Sequence, residues 1–164
     1  MRIGSGFDAH AFGPGDSIIL GGVRIAHTRG VVAHSDGDVI LHALCDALLG
    51  AAGLGDIGEH FPDSDPRWKG VASTRFVTAV MEMLQRRGFS VVNADATLLA
   101  QAPRIAQHRH EIRRSIASAL GIADERVNLK ATTTEHLGFI GRAEGLAAMV
   151  TVLLDEQPPL NPSG

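Results

Sequence analysis

The sequence predicts an α+β domain, a mixed β-sheet with helices packed on one face. Three observations carry that expectation. Segments of strand period and helix period alternate irregularly, with neither a repeat nor a linker among them. A chain of 164 residues, 45% of them hydrophobic, suits one domain with a substantial core. The last strand segment, "EGLAAMVTVLL", is nearly uncharged, so a sheet with one helical layer would leave an apolar face open for assembly with further copies. Residues 1–156 are expected to form the single domain, and 157–164, rich in Pro and polar residues, a disordered tail.

Taken in order, residues 1–12 and 17–27 read as strands joined by the turn "GPGD", and the Gly-Gly of "IILGGVRI" can fold the second into a hairpin. Residues 38–52, "DVILHALCDALLGAA", read as a helix, with Asp36 or Asp38 as its N-cap and Gly53 as its stop. Residues 54–72 read as a long irregular loop, a length that commonly carries function. Ser73 is placed to cap a helix over 74–87 that Gly88 ends. Residues 89–101 alternate as a strand, with Val92, Ala94, Ala96, Leu98 and Ala100 on one side. Pro103 is placed to open a helix over 103–120, whose inner face carries Ile105, Ile112, Ile116 and Leu120. Residues 126–133 and 143–155 complete the strands.

Composition narrows the function. A formal charge of −3 argues against a nucleic-acid or membrane-surface role, since both need clustered Lys and Arg. Cys45 is the only cysteine, which excludes an intrachain disulfide and points to a reducing, cytoplasmic compartment. The opening "MRIGSGFDAH" lacks the apolar core of a signal peptide, and no apolar run approaches the roughly 20 residues that span a bilayer.

Four stretches carry candidate chemistry. Asp8 and His10 stand two apart in a strand, so they project from one face, with Gly4 and Gly6 leaving space beside them. They could begin a metal site or simply face water. Asp38, His42 and Asp46 are spaced four apart on a helix. That pattern fits a ligating histidine oriented by carboxylates, or a solvated stripe. Asp8, His10 and His42 together supply the three ligands of an open zinc site. In "VNLKATTTEHLGFIGRAEG", residues 127–145, hydroxyls and backbone N–H groups at a strand end could cradle phosphate, and Glu135 beside them would suit Mg²⁺ or Mn²⁺. The run could equally be a Thr-rich strand. In "GDIGEHFPDSDP", residues 55–66, Asp56, Asp63 and Asp65 could hold sugar hydroxyls or metal-bound water, or form turns.

These stretches, in order, resemble the 2-C-methyl-D-erythritol 2,4-cyclodiphosphate synthase family of the non-mevalonate isoprenoid pathway. The likeness is carried by "GFDAH" at 6–10, "AHSDGDVILHALCDALLGA" at 33–51, "GDIGEHFPDSDP" at 55–66, "AQAPR" at 100–104 and "KATTTEHLGFIGRAEG" at 130–145. The resemblance implies a cyclising lyase. It would take 4-diphosphocytidyl-2-C-methyl-D-erythritol 2-phosphate to the cyclic diphosphate and release CMP, on the route to the isoprenoid precursors. By the same resemblance Asp8, His10 and His42 hold a zinc-type ion, and Glu135 holds Mg²⁺ or Mn²⁺. His34, with Ser35 beside it, and Thr133 take the transition-state-stabilising positions. Asp56, Ile57 and Gly58, with Phe61, Pro62, Asp63, Ser64 and Asp65, match the region that holds methylerythritol. Ala100, Gln101, Ala102, Pro103, Arg104, Ile105 and Ala106, with Thr132, Thr133 and Thr134, match the cytidine and diphosphate pocket.

The resemblance further implies a homotrimer with active sites between subunits. It also implies a pore on the three-fold axis where Phe139 and Arg142 could meet an isoprenoid diphosphate. Arg142 could instead pair only with Glu144. Two positions depart from the family pattern: Ser5, where many relatives carry histidine, and Arg104, where lysine is frequent. Arg104 keeps the charge but not the shape of a lysine contact. Two other functions compete with the cyclase. A metal-dependent phosphohydrolase would use the same triad, and a non-catalytic trimer would hold zinc in a closed four-ligand site.

Overall fold

A long first strand, β1 (Arg2–Gly13), and a long last one, β7 (Gly145–Glu156), pair antiparallel along most of their length. The computed structural model describes residues 1–62 and 64–156. Around that pair the chain runs through a hairpin, β2 (Ser17–Leu20) and β3 (Val23–Ala26), then β4 (Gly30–Val31) and the helix α1 (Val39–Ala52). The short helix α2 (Ile57–His60) and a 3-10 turn at Pro66–Trp68 precede α3 (Thr74–Arg86) and β5 (Phe89–Leu99). Then come α4 (Arg109–Leu120), β6 (Val127–Thr132) and the short α5 (Gly138–Gly141) before β7. The main sheet has five strands in the order β4-β1-β7-β5-β6. Only β5 and β6 are parallel, and α4 lies in their crossover. The expected α+β class, a mixed sheet with a single helical layer, is the observed one.

The core forms where α1 lies on the sheet. Its Leu41, Leu44, Leu48 and Leu49 are fully buried, and α3 covers its far side with Phe76, Val77, Val80 and Leu84. Along β1 burial alternates strictly. Gly4, Gly6, Asp8 and His10 face α1, while Ile3 and Phe7 point the other way and stay 72% and 56% exposed. Met149 on β7 joins that open face at 53%. The space expected beside Gly4 and Gly6 is filled by α1 itself. A Cβ on Gly4 would overlap the Ala47 carbonyl, and one on Gly6 the Ala43 carbonyl. Two glycines thus let a helix backbone rest directly on a strand.

The ends of α1 follow the sequence. Of the two cap candidates, Asp38 is the cap, accepting from the backbone N–H groups of Ile40 and Leu41. Fully buried, it also accepts from Gly21 N–H at 2.9 Å and Gly22 N–H at 2.6 Å. Those two glycines take positive φ, as a two-residue hairpin turn between β2 and β3 requires. One carboxylate therefore both starts α1 and ties the hairpin to it. Gly53 ends α1 in the left-handed region.

Three boundaries differ from expectation. The segment 54–72 contains α2 and the 3-10 turn rather than being wholly irregular. On β5 a bulge at Val92 puts Val91, not Val92, on the buried side, because an extra residue in one strand reverses the alternation before it. The helix expected from Pro103 begins at Arg109. The preceding backbone is engaged elsewhere: Ala100 N–H bonds the Thr132 carbonyl, and His108 N–H closes a turn onto the Ile105 carbonyl. Ile105 still lies in the core. The tail expectation for 157–164 lies outside the described residues.

The close contact of β1 and α1 yields a stability prediction. Gly6→Ala should lower the unfolding free energy by about 3 kcal/mol, since the methyl meets backbone rather than a movable side chain. Gly50→Ala, at a helical position with nothing within 4 Å, should raise it by about 0.5–1 kcal/mol. Urea denaturation of both variants checks the pair, and equal effects would contradict the packing described.

Candidate functional site

In its second half β1 presents Asp8 and His10 on the side that α1 covers, and α1 presents His42 to meet them. Asp8 Oδ2 lies 2.9 Å from His10 Nε2 and 3.0 Å from His42 Nδ1, and the two nitrogens are 3.2 Å apart. Tetrahedral ligands bound about 2.0–2.1 Å from one ion stand about 3.3 Å from each other. The triangle is thus the size a shared cation needs, and two imidazole nitrogens with one carboxylate oxygen form a zinc-type donor set. Burial pushes the Asp8 carboxyl up, but hydrogen bonds and charge from His10 and His42 outweigh it and hold the group well below the usual carboxylate range. Asp8 is therefore a carboxylate whenever the site can bind a cation. Among the described residues this is the only cluster of three or more such ligands.

The carboxylates expected to orient His42 do other work. Asp38 is the cap described above. Asp46 accepts from Ile57 N–H at 2.8 Å and so ties α2 to α1. Burial pushes its carboxyl up, and the nearby charges of Asp56 and Asp8 add to that. On its outer side His42 Nε2 instead lies 2.9 Å from Ser73 Oγ and 3.0 Å from Ser35 Oγ. Ser73 in turn hydrogen-bonds Asp36 through both its hydroxyl and its N–H.

A cleft of about 530 Å³ opens beside the triad. His34, Ser35, Ile57, Gly58, Phe61 and Pro62 line it, all of them expected there. Trp68, Lys69 and Phe76 also line it and carried no signal in the sequence. Trp68, Phe61 and Phe76 pack as an aromatic group with centroids 4.9–5.6 Å apart, which gives the cleft a firm apolar wall. Asp56 and Asp65 behave as turn formers. Asp56 caps α2 by accepting from Glu59 N–H, and Asp65 caps the 3-10 turn while Arg67 grips it. Ser64 is exposed and outside the lining, and Asp63 lies outside the described residues.

The second group of expected residues forms a separate pocket of about 210 Å³ at the ends of β5 and β6. Ala100, Gln101, Pro103, Arg104, Ile105 and Ala106 line it with Thr132 and Thr133, while Ala102 and Thr134 do not. Gln101 buries an amide nitrogen there with no hydrogen-bond partner in the chain, a donor for something outside it. Beyond this pocket the chain turns through Glu135 and His136, both at positive φ, a conformation that side chains adopt at some cost. Glu135 is exposed, and Thr133 Oγ1 donates to its carboxylate at 3.1 Å.

The two groups stand far apart within the chain. Asp8 pairs with Ala148, Ala148 with Leu98, and Leu98 with Ala131, one row across four strands. Three strand spacings of about 4.8 Å put β1 and β6 roughly 14 Å apart. The structure thus gathers Asp8, His10, His34, Ser35 and His42, and gathers Thr132, Thr133 and Glu135, but does not bring the two sets together.

Comparison with known proteins identifies the family. The YgbB family profile matches residues 1–155. A 2-C-methyl-D-erythritol 2,4-cyclodiphosphate synthase of Pseudomonas aeruginosa is 60% identical over 154 residues, covering 94% of this chain and 98% of that protein. A synthase of the same name from Xylella fastidiosa is also 60% identical, over 94% of this chain and 88% of its own length. Among solved structures, a CDP complex of IspF from Plasmodium falciparum superposes with a TM-score of 0.84 at 32% identity, covering 96% of this chain and 97% of that one. With nearly every residue from the first strand to the last included in the match, the chain belongs to the YgbB family.

Proposed function

We propose that the protein converts 4-diphosphocytidyl-2-C-methyl-D-erythritol 2-phosphate into 2-C-methyl-D-erythritol 2,4-cyclodiphosphate and CMP. The observation that carries this reading is the triad of Asp8, His10 and His42 at the mouth of a cleft, in a chain whose full-length relatives bear that synthase name. An oxygen of the 2-phosphate attacks the β-phosphorus, forming the ring P–O bond. The bond from that phosphorus to the oxygen bridging to the α-phosphorus breaks, and CMP leaves with the oxygen. No water is consumed. Such a reaction needs placement and charge neutralisation rather than a protein nucleophile.

Asp8, His10 and His42 would hold a zinc-type ion, and Glu135 would hold Mg²⁺ or Mn²⁺. Bound there, the cations would supply positive charge that offsets the repulsion between the phosphate groups and polarises the attacked phosphorus. His34 at the cleft and Thr133 at the second pocket stabilise charge on the transferring group by hydrogen bonding. The aromatic wall and the stretch 57–62 hold the methylerythritol chain. The pocket at Ala100–Ala106 takes the cytidine, with the Gln101 amide as one available donor. The CDP complex of the Plasmodium protein supports a cytidylyl ligand.

The reacting phosphates of one substrate cannot meet both the Asp8, His10 and His42 triad and Thr133 and Glu135 of the same chain when a row of four strands separates them. We therefore place the complete site between neighbouring subunits of a homotrimer, with the exposed face of Ile3, Phe7 and Met149 as the assembling surface. The number three rests on family resemblance. A central pore holding an isoprenoid diphosphate would present Phe139 and Arg142. Arg142 already forks onto Glu144 at 2.8 and 3.2 Å, so such a ligand would compete with that carboxylate. We place the protein in the cytoplasm; among the described residues no helix is long and apolar enough to cross a membrane.

Phosphorus NMR of the products tests the reaction. CMP and a cyclic diphosphate are expected, both lost with a chelator; inorganic phosphate or a linear product would instead identify a hydrolase. His42→Ala should weaken divalent-metal binding more than about 100-fold while unfolding remains cooperative. Chelator competition reads the effect, and unchanged metal affinity in His42→Ala would contradict the ligand assignment. The shared site is tested by mixing inactive His42→Ala with inactive Thr133→Ala after subunit exchange. Random trimers should regain up to about a quarter of native activity, since an interface receives both intact halves about one time in four; no recovery would place both residues in one subunit's site.

A further inference from the structure

Ser73 stands at the N-cap of α3 and does not cap it: its side chain makes no bond to the helix's free N–H groups. A serine in that position ordinarily stabilises a helix by about 1 kcal/mol. Here it is fully buried and its hydroxyl turns the other way. The oxygen meets the Asp36 carboxylate on one side, at close range, and His42 Nε2 at 2.9 Å on the other. Asp36 is fixed in turn, accepting from Ser73 N–H at 2.9 Å and Asp38 N–H at 3.2 Å.

Proton counting assigns direction to this chain of contacts. An ionised carboxylate only accepts, and a serine hydroxyl has one proton to give. Ser73 therefore donates to Asp36 and must accept from His42, which puts the imidazole proton on Nε2. Ser35 Oγ, 3.0 Å from the same nitrogen, can share that proton as a second acceptor. The lone pair of His42 is left on Nδ1, the atom that faces Asp8 and His10. We infer that Asp36 and Ser73 form a positioning pair that fixes the tautomer and ring orientation of His42, and thereby sets the affinity of the triad for a divalent cation. Neither residue touches the cation or substrate. The inference rests on the reading of the triad as a metal site.

The test measures zinc affinity of the full-length protein by competition with a chromophoric chelator, without reference to turnover. Native protein that binds no zinc would refute the metal reading itself. If it binds, Ser73→Ala and Asp36→Asn are each expected to weaken affinity about 10–100-fold. The double variant should be no weaker than the worse single one, because both act through the same hydrogen on Nε2. Single variants within about twofold of native, or effects that add, would overturn the pair. Circular dichroism identifies a variant that fails to fold. The native protein then decides alone: ¹⁵N-edited NMR of the zinc-loaded protein should show His42 protonated at Nε2 and bound through Nδ1. A His42 bound through Nε2 would overturn the assignment without any variant.

Discussion

Everything at the site depends on how closely α1 lies against β1. The strand gives up side chains at Gly4 and Gly6, and the helix offers small residues, Ala43 and Ala47, to the same seam. Backbone then meets backbone, and the next two inward positions of the strand, Asp8 and His10, come level with His42 on the helix. A larger residue anywhere in that seam would lift the helix and open the triangle. The glycines thus shape the candidate metal triad, although they offer no ligand atom. Their role is spacing, and interiors packed this tightly transmit small displacements.

The same region shows how one acidic tetrapeptide can carry separate tasks. In "SDGD", residues 35–38, the second aspartate is buried under four backbone N–H donors and anchors a helix start and a hairpin turn. The first aspartate reaches across to Ser73 and holds α3 against the outer side of His42. Gly37 between them takes positive φ, which lets the chain send two adjacent carboxylates into different surroundings. Fold stability and site geometry therefore meet in four residues, and the helix that carries His42 inherits its rigidity from both.

What could be read from the sequence was what local spacing encodes. Asp8 and His10 sit on one strand face, and Asp38 begins α1 and Gly53 ends it, because cap and period rules act within a few residues. That His42 joins that pair rested on donor type and then on family resemblance rather than on spacing, since a strand and a helix over thirty residues apart have no local reason to meet. Spacing misled at Asp46, which shares a face with His42 yet serves α2. It also misled at Ser73, whose place before a helix predicts a cap. Both errors have one source: a polar side chain goes to the most demanding partner within reach, and that partner is set by tertiary packing. The bulge at Val92 was equally invisible, because an alternating pattern cannot show where one residue is extra.

In the proposed trimer, the separation of the two residue groups makes assembly part of the chemistry. Asp8 and Ala131 stand in one row of the sheet with β7 and β5 between them, and no rotamer change bridges roughly 14 Å of strand spacing. The half that would hold a cation and the half with the unpartnered Gln101 amide nitrogen lie toward opposite edges of that sheet. In the trimer proposed above, each chain would complete a site by lending one half to a neighbour and borrowing the other. The apolar residues left on the open face then have a purpose beyond solubility or its lack. In the proposed trimer the surface that joins the copies would also complete the site, so oligomer formation and activity should rise and fall together.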